Sequence, residues 1–260
     1  MSFEFIAQQL RQQHDQVRFR QRICHSGHAG QSNGREITIE GKKYLNFSSN
    51  DYLGLNNHPL IKKAMQEGTD KFGLSASASN LVTGFSYAHQ TLENEICQWL
   101  NKPRCLLFSS GFSANLGVLQ SLGQPSTDIL LDKLSHASLI DGSFSSKAKV
   151  KRFRHNDINH LNTLLTGLKK NITTDLANNT MTSDKLIVSE GIFSMDGDQA
   201  PIKKLSTLSA DFDAKLFIDD AHSIGVIGNR GEGSSSLAKI DIVMATFGKA
   251  IASSGAFVAC

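Results

Sequence analysis

The chain has 260 residues, 40% of them hydrophobic and 20% charged, with a formal net charge of +3. This is an ordinary globular composition, with enough chain for one large domain or two small ones. It excludes the basic block expected of a nucleic-acid or anionic-membrane binder, and no apolar run approaches the ~20 residues that a membrane-spanning helix needs. Cys24, Cys97, Cys105 and Cys260 contain no Cys-x-x-Cys pair and suggest no disulfide framework. The nine histidines show no metal-ligand spacing, so no metal site is expected.

The first segment, Met1 to Arg22, mixes Gln, Arg and apolar residues. It reads as an amphipathic helix without the apolar core of a signal peptide, and a cytoplasmic location is expected. Residues 1–50 are read as this helix plus an extended segment, and 51–260 as the main domain. Beyond them, short apolar runs alternate with helical periodicity. The strand candidates are Cys105–Ser109, Ile129–Asp132, Val150–Arg154, Leu186–Ser189, Leu216–Asp219, Ile242–Thr246 and Ala256–Cys260. The helix candidates are Tyr87–Leu100, Asn115–Leu122, Ile158–Leu168 and Ile202–Phe212. Such alternation predicts an α/β domain with a mostly parallel sheet of seven strands and flanking helices. Lys170 to Asp184, rich in Asn and Thr, is expected to be a surface loop. The chain stops inside a strand-like run at Cys260, and it reads as C-terminally truncated.

In a parallel sheet, ligands bind outside the carboxyl ends of the strands, where the chemically capable residues of this sequence fall. Asp219 ends one strand and is followed by Asp220, Ala221 and His222; Lys249 lies just past another, after Thr246, Phe247 and Gly248. An amine at Lys249 could form a Schiff base with an aldehyde cofactor, and Asp219 could keep a ring nitrogen protonated beside it. That combination tunes pyridoxal phosphate as an electron sink. Each residue alone also fits a solvated loop or a helix cap. Ser110-Gly111-Phe112-Ser113, between a strand and a helix, suits a phosphate on backbone N–H groups, or a plain strand-to-helix turn. His136 could stack on a planar ring or be structural, and Glu190 to Asp198 offers an acid, a hydroxyl and a turn.

Six ordered stretches together resemble the α-oxoamine synthases, fold-type I pyridoxal-phosphate enzymes. They are Tyr44 to Leu55 (YLNFSSNDYLGL), Ser110-Gly111-Phe112, Leu134 to Ser138 (LSHAS), Phe193 to Asp198 (FSMDGD), Asp219 to His222 (DDAH) with Gly225 to Gly228 (GVIG), and Thr246 to Lys249 (TFGK). The resemblance implies the large domain of that fold, with the family's small C-terminal domain missing, and a homodimer. It implies that Lys249 holds pyridoxal 5'-phosphate and serves as the base, Asp219 pairs with the pyridine nitrogen, and His222 meets the phenolic oxygen. It further implies that His136 stacks on the ring, that Gly111 and Phe112 cradle the cofactor, and that Ser194 and Thr246 add hydroxyl contacts. Asn50 and Arg20 would lie near substrate, with Arg18 and Arg22 close to Arg20 in the sequence.

The implied reaction is a decarboxylative condensation of L-alanine with a pimeloyl thioester, on coenzyme A or a carrier protein, in biotin biosynthesis. A glycine-using synthase and an inactive cofactor-binding fragment are the alternatives. Two stretches depart from the family pattern. Leu74 to Leu81 (LSASASNL) and Ala250 to Ser254 (AIASS) carry Ser and Ala where the family favours glycine.

Overall fold

The computed structural model describes residues 3–25, 35–175 and 183–260. The chain divides into two compact units, Met1–Ser49 and Asn50–Cys260. In the first, helix α1 spans Glu4–Asp15, and strands β1 (Glu36–Ile39) and β2 (Lys42–Leu45) form an antiparallel hairpin. Glu40 and Gly41 both take positive φ, 49° and 77°, as a two-residue turn between right-twisted strands requires. The helix is shorter than the expected run to Arg22. It ends in a Schellman arrangement, with Arg18 N donating to Gln13 O and Val17 N to His14 O, and with Val17 at φ 55°.

The second unit begins with α2 (Pro59–Phe72) and α3 (Tyr87–Leu100). It continues through β3 (Cys105–Phe108), α4 (Gly111–Leu122), β4 (Thr127–Asp132), α5 (Ala137–Ser145), β5 (Lys149–Phe153) and α6 (Ile158–Asp175). It closes with β6 (Asp184–Glu190), α7 (Ile202–Asp211), β7 (Lys215–Asp219), β8 (Ile242–Thr246) and β9 (Ala256–Ala259). All seven expected strands join one sheet in the order β3-β9-β8-β7-β6-β4-β5, with only β9 antiparallel to its neighbours. The expected loop from Lys170 to Asp184 is a correction. Helix α6 continues to Asp175, Asp184 already opens β6, and 176–182 lie outside the described residues.

The centre of the sheet is buried on both faces, and its side chains alternate between two cores with the period of a strand. Leu130, Ile187, Leu216, Ile218 and Val243 pack with residues of α3, α6 and α7. Ile129, Leu131, Leu186, Val188 and Phe217 pack with residues of α4 and α5. This double covering explains why β4, β6 and β7 read as continuous apolar runs. It also fixes the carboxyl ends of β4, β6, β7 and β8 side by side, with Glu190 in register with Asp219 and Asp219 with Met244.

Candidate functional site

A cavity of about 210 Å³ opens at those carboxyl ends. Eight residues expected from sequence line it: Gly111, Phe112, His136, Glu190, Asp219, His222, Thr246 and Lys249. Asn115 and Ser138 complete its polar wall.

The floor is Asp219, the last residue of β7 and 5% exposed. Asn115 Nδ2 donates to its Oδ2 at 2.8 Å, and Ala221 N donates to its Oδ1 at 2.9 Å. Burial raises its pKa above the ordinary 3.8; these two donors and the Lys249 charge act the other way. A buried carboxylate held by two donors but lacking a contacting cation is built to receive one. Glu190 ends the neighbouring strand and accepts from His136 N at 2.6 Å. Burial, and then repulsion by Asp219, push its pKa up to about 8, so at neutral pH it is a carboxylic acid. Of the two adjacent acids, Glu190 is thus the neutral one.

Lys249 sits on the loop joining β8 to its antiparallel partner β9, pinned by Ser253 N to Phe247 O and Ala252 N to Lys249 O. Burial lowers its pKa from 10.5, and Asp219 and Glu190 offset this only in part. A half-buried amine with a lowered pKa is a better nucleophile than a solvated one. Its Nζ lies 2.7 Å from His222 Nε2, and His222 Nδ1 lies 2.5 Å from the Tyr52 hydroxyl. The Tyr52 hydroxyl in turn reaches Asn50 Oδ1 at 3.2 Å. Burial, then the Lys249 and His136 charges, take the His222 pKa down to about 4, so His222 is a neutral imidazole. These contacts form one chain from Lys249 to Asn50 through a neutral ring.

The opposite wall is the start of α4. Ser110 caps it by accepting from Ser113 N at 3.1 Å, which leaves the N–H groups of Gly111 and Phe112 without a partner among the described residues. Those donors and the helix dipole suit an anion. His136 caps α5, its Nδ1 accepting from Ser138 N at 3.2 Å, so the ring orientation is fixed by the backbone that follows it. Thr246 Oγ1 donates to Gly255 O and accepts from Gly248 N, bracing the Lys249 loop as well as lining the cavity.

Ser194 is exposed on the turn after β6 and does not line the cavity. Asn50 reaches the site through Tyr52 only, and Arg20 lies in the first unit, exposed in the coil after α1. Asn115, Ser138 and Tyr52 had no assigned role in the sequence reading. Asn115 stands one helical turn beyond Gly111, on a face that a strand-end reading does not sample. Among the described residues no group of side chains could hold a metal ion.

The pieces fit an anionic, ring-bearing aldehyde. Unclaimed N–H groups await the anion, a buried carboxylate awaits a cationic ring atom, and a lysine of lowered pKa awaits the carbonyl carbon. Asn115 Oδ1 is also buried without a partner at this wall. Fold and site together define a three-layer α/β scaffold with a lysine-bearing cavity at the strand ends. The chain belongs to the aminotransferase class I and II family, whose model matches residues 42–260.

Among curated relatives, it is 48% identical to the 8-amino-7-oxononanoate synthase of Vibrio atlanticus over 88% of this chain and 54% of that protein. The chain thus spans about half the length of the curated relatives it matches. Among solved structures, serine palmitoyltransferase from S. paucimobilis, with a bound adduct of PLP and myriocin, superposes with a TM-score of 0.82 at 27% identity, over 99% of this chain and 62% of that one. An 8-amino-7-oxononanoate synthase from Francisella tularensis superposes with a TM-score of 0.64 at 31% identity, over 82% of this chain and 57% of that one.

Proposed function

We propose that the cavity binds pyridoxal 5'-phosphate and that the chain provides the cofactor site of an 8-amino-7-oxononanoate synthase, acting on L-alanine and a pimeloyl thioester. The observation that carries the reading is the convergence of Lys249, His222 and Asp219 on one cavity whose far wall is a helix N-terminus with unclaimed donors. When bound, the cofactor supplies an electron sink for carbanion chemistry next to an amino group.

The chain's own residues define the rest. Gly111 and Phe112 N–H would hold the phosphate, and His136 would cover one ring face. Asp219, held in place by Asn115 and Ala221, would keep the proton on the ring nitrogen. His222 Nε2 would give up its contact with Lys249 Nζ and turn toward the phenolic oxygen. Lys249 in its neutral form, which burial favours, would take a proton from the substrate carbon. Thr246 would keep the Lys249 loop in place through Gly255 and Gly248.

The test is spectroscopic. Chain mixed with pyridoxal phosphate should develop a visible absorbance band that borohydride abolishes by fixing the cofactor to Lys249. Lys249→Ala should show no such band, and mass spectrometry should find no fixed cofactor. A reduced adduct on another lysine would overturn the assignment. Comparing alanine, glycine and serine, each with pimeloyl and acetyl thioesters, then reads the substrate class.

A further inference from the structure

Beside the cavity lies a charged cluster that the proposed chemistry does not use. His155, which follows β5, points its two ring nitrogens at two carboxylates: Nδ1 at Asp132 Oδ1, 3.0 Å, and Nε2 at Asp198 Oδ2, 2.8 Å. A carboxylate only accepts, so both nitrogens are placed to donate and the ring is an imidazolium; Asn156 Nδ2, 3.2 Å from Nε2, makes its own shorter bond to Asp198 Oδ2 at 2.7 Å. Burial alone would lower its pKa, but the two carboxylates outweigh burial and hold it above the ordinary 6.5. The neighbouring Arg154 is paired elsewhere, its Nε on Asp157 Oδ2 at 2.8 Å. The Phe193 ring packs edge-on against the imidazole, with centroids 4.4 Å apart.

The two acids anchor different segments. Asp132 is fully buried at the end of β4 and accepts from Leu134 N at 2.9 Å and Asn156 N at 2.9 Å. It thereby shapes the turn that leads to His136. Asp198 accepts from Asn156 Nδ2 at 2.7 Å, and its carbonyl accepts from Phe193 N at 3.0 Å. It closes the turn that leaves Glu190 and carries Ser194.

We propose that His155 is a positioning residue, an ionic clamp that locks the 133–136 and 191–198 segments to each other and so sets the wall of the cavity formed by His136 and Glu190. The clamp complements the direct bond from His136 N to Glu190, 2.6 Å, which joins the same two segments one step nearer the cavity. A neutral side chain at 155 would leave two buried or half-buried carboxylates facing each other without a cation, and the segments would part. The effect on the cofactor rests on the proposed function above; the clamp itself does not.

Two variants test it, His155→Ala and Asp198→Ala. Amide hydrogen exchange is followed across the chain, and the dissociation constant of pyridoxal phosphate is read from the visible band. Asp198→Ala should speed exchange in 191–198, and His155→Ala should do so in both segments. Affinity should fall about tenfold, the worth of one charge-assisted hydrogen bond. Added imidazole should restore His155→Ala toward wild type, which a merely space-filling residue would not allow. Nitrogen NMR of the wild type should show both His155 ring nitrogens protonated at neutral pH. Exchange unchanged in these segments, or raised uniformly over the whole chain, would overturn the clamp, as would a neutral His155. If the wild type takes up no cofactor, the proposed function falls, and the exchange and NMR results alone decide the clamp.

Discussion

Glu190→Gln probes the neutral member of the two adjacent acids. In the cofactor-free chain Glu190 is 3% exposed, and its pKa stands at about 8 against an ordinary 4.5. Between those values the folded chain keeps a proton that the unfolded chain has lost. Stability must therefore fall as pH rises, by about 1.36 kcal/mol per pH unit. The interval from 4.5 to about 8 corresponds to about 5 kcal/mol in all, and the portion from 6.5 to 8 to about 2 kcal/mol.

His222, near 4 when folded, contributes with the opposite sign but only below its ordinary 6.5, and Asp220, raised to about 6, has finished titrating by then. Asp219 is coupled to Glu190, so the informative quantity is the difference between the two chains and not either slope alone. Glutamine keeps an oxygen for His136 N and cannot ionise. Urea unfolding by circular dichroism at pH 6.5 and pH 8 should show the wild type losing about 2 kcal/mol more than Glu190→Gln. Parallel pH dependences would mean that Glu190 is ionised in the fold, and the reading of Glu190 as the neutral acid would be wrong.

Asn115→Ala removes a donor to buried Asp219, a bond to a charged group worth ~1.5–3 kcal/mol. Cofactor affinity measured by absorbance titration should drop by roughly 10- to 100-fold. Gly191→Ala would place its Cβ 2.1 Å from Asp220 Oδ1 and 2.2 Å from Ser223 Oγ, in a site with nowhere to yield. A loss of about 3 kcal/mol or a failure to fold is expected, and a wild-type melting curve would contradict the packing. Ala252→Gly acts the other way. Ala252 holds φ 53° on the Lys249 loop, a conformation that costs a side-chain-bearing residue ~1–2 kcal/mol. Glycine returns ~0.4–1 kcal/mol of that as unfolded-state freedom, so a net gain of about 0.5–1 kcal/mol should appear as a raised melting temperature.

The two stretches that depart from the family's glycine preference become intelligible in this light. Ser77 and Ala252, one in each stretch, both take positive φ, 56° and 53°. At both positions a residue with a side chain holds a conformation that glycine adopts without cost, and only the dihedral, not the residue type, reveals it.

What the sequence makes legible is whatever has a local period or a local breaker. The inner strands β4, β6, β7 and β8 are mostly apolar because both sheet faces are covered there, and that property is visible residue by residue, whereas edge strand β5 (KVKRF) keeps three basic residues. Helix α5 is different: Ala137–Ser145 contains Gly142 and three serines and has little intrinsic helical preference. It is helical because it packs on α4, and its glycine is part of that packing, since a Cβ there would stand 2.9 Å from Leu119 Cδ1. Helix α2 did carry a local signal, His58 accepting from Leu60 N with Pro59 in the first turn, which the strand-centred reading passed over.

The site divides along the same line. Asp219, His222, Thr246 and Lys249 are legible because strand ends are where a parallel sheet gathers its chemistry. Glu190 is legible in the same way, as an acid at the end of β6, while Asn115 owes its role to a contact that crosses the sheet, 104 residues from the Asp219 that it touches. His155 belongs with Asn115, lying 43 residues before Asp198 and 23 after Asp132. The cavity is thus built by two kinds of information. Residues that would contact the cofactor sit at the ends of elements and announce themselves. Residues that set the charge and position of those contacts come from elsewhere in the chain, and only the three-dimensional register brings them to bear.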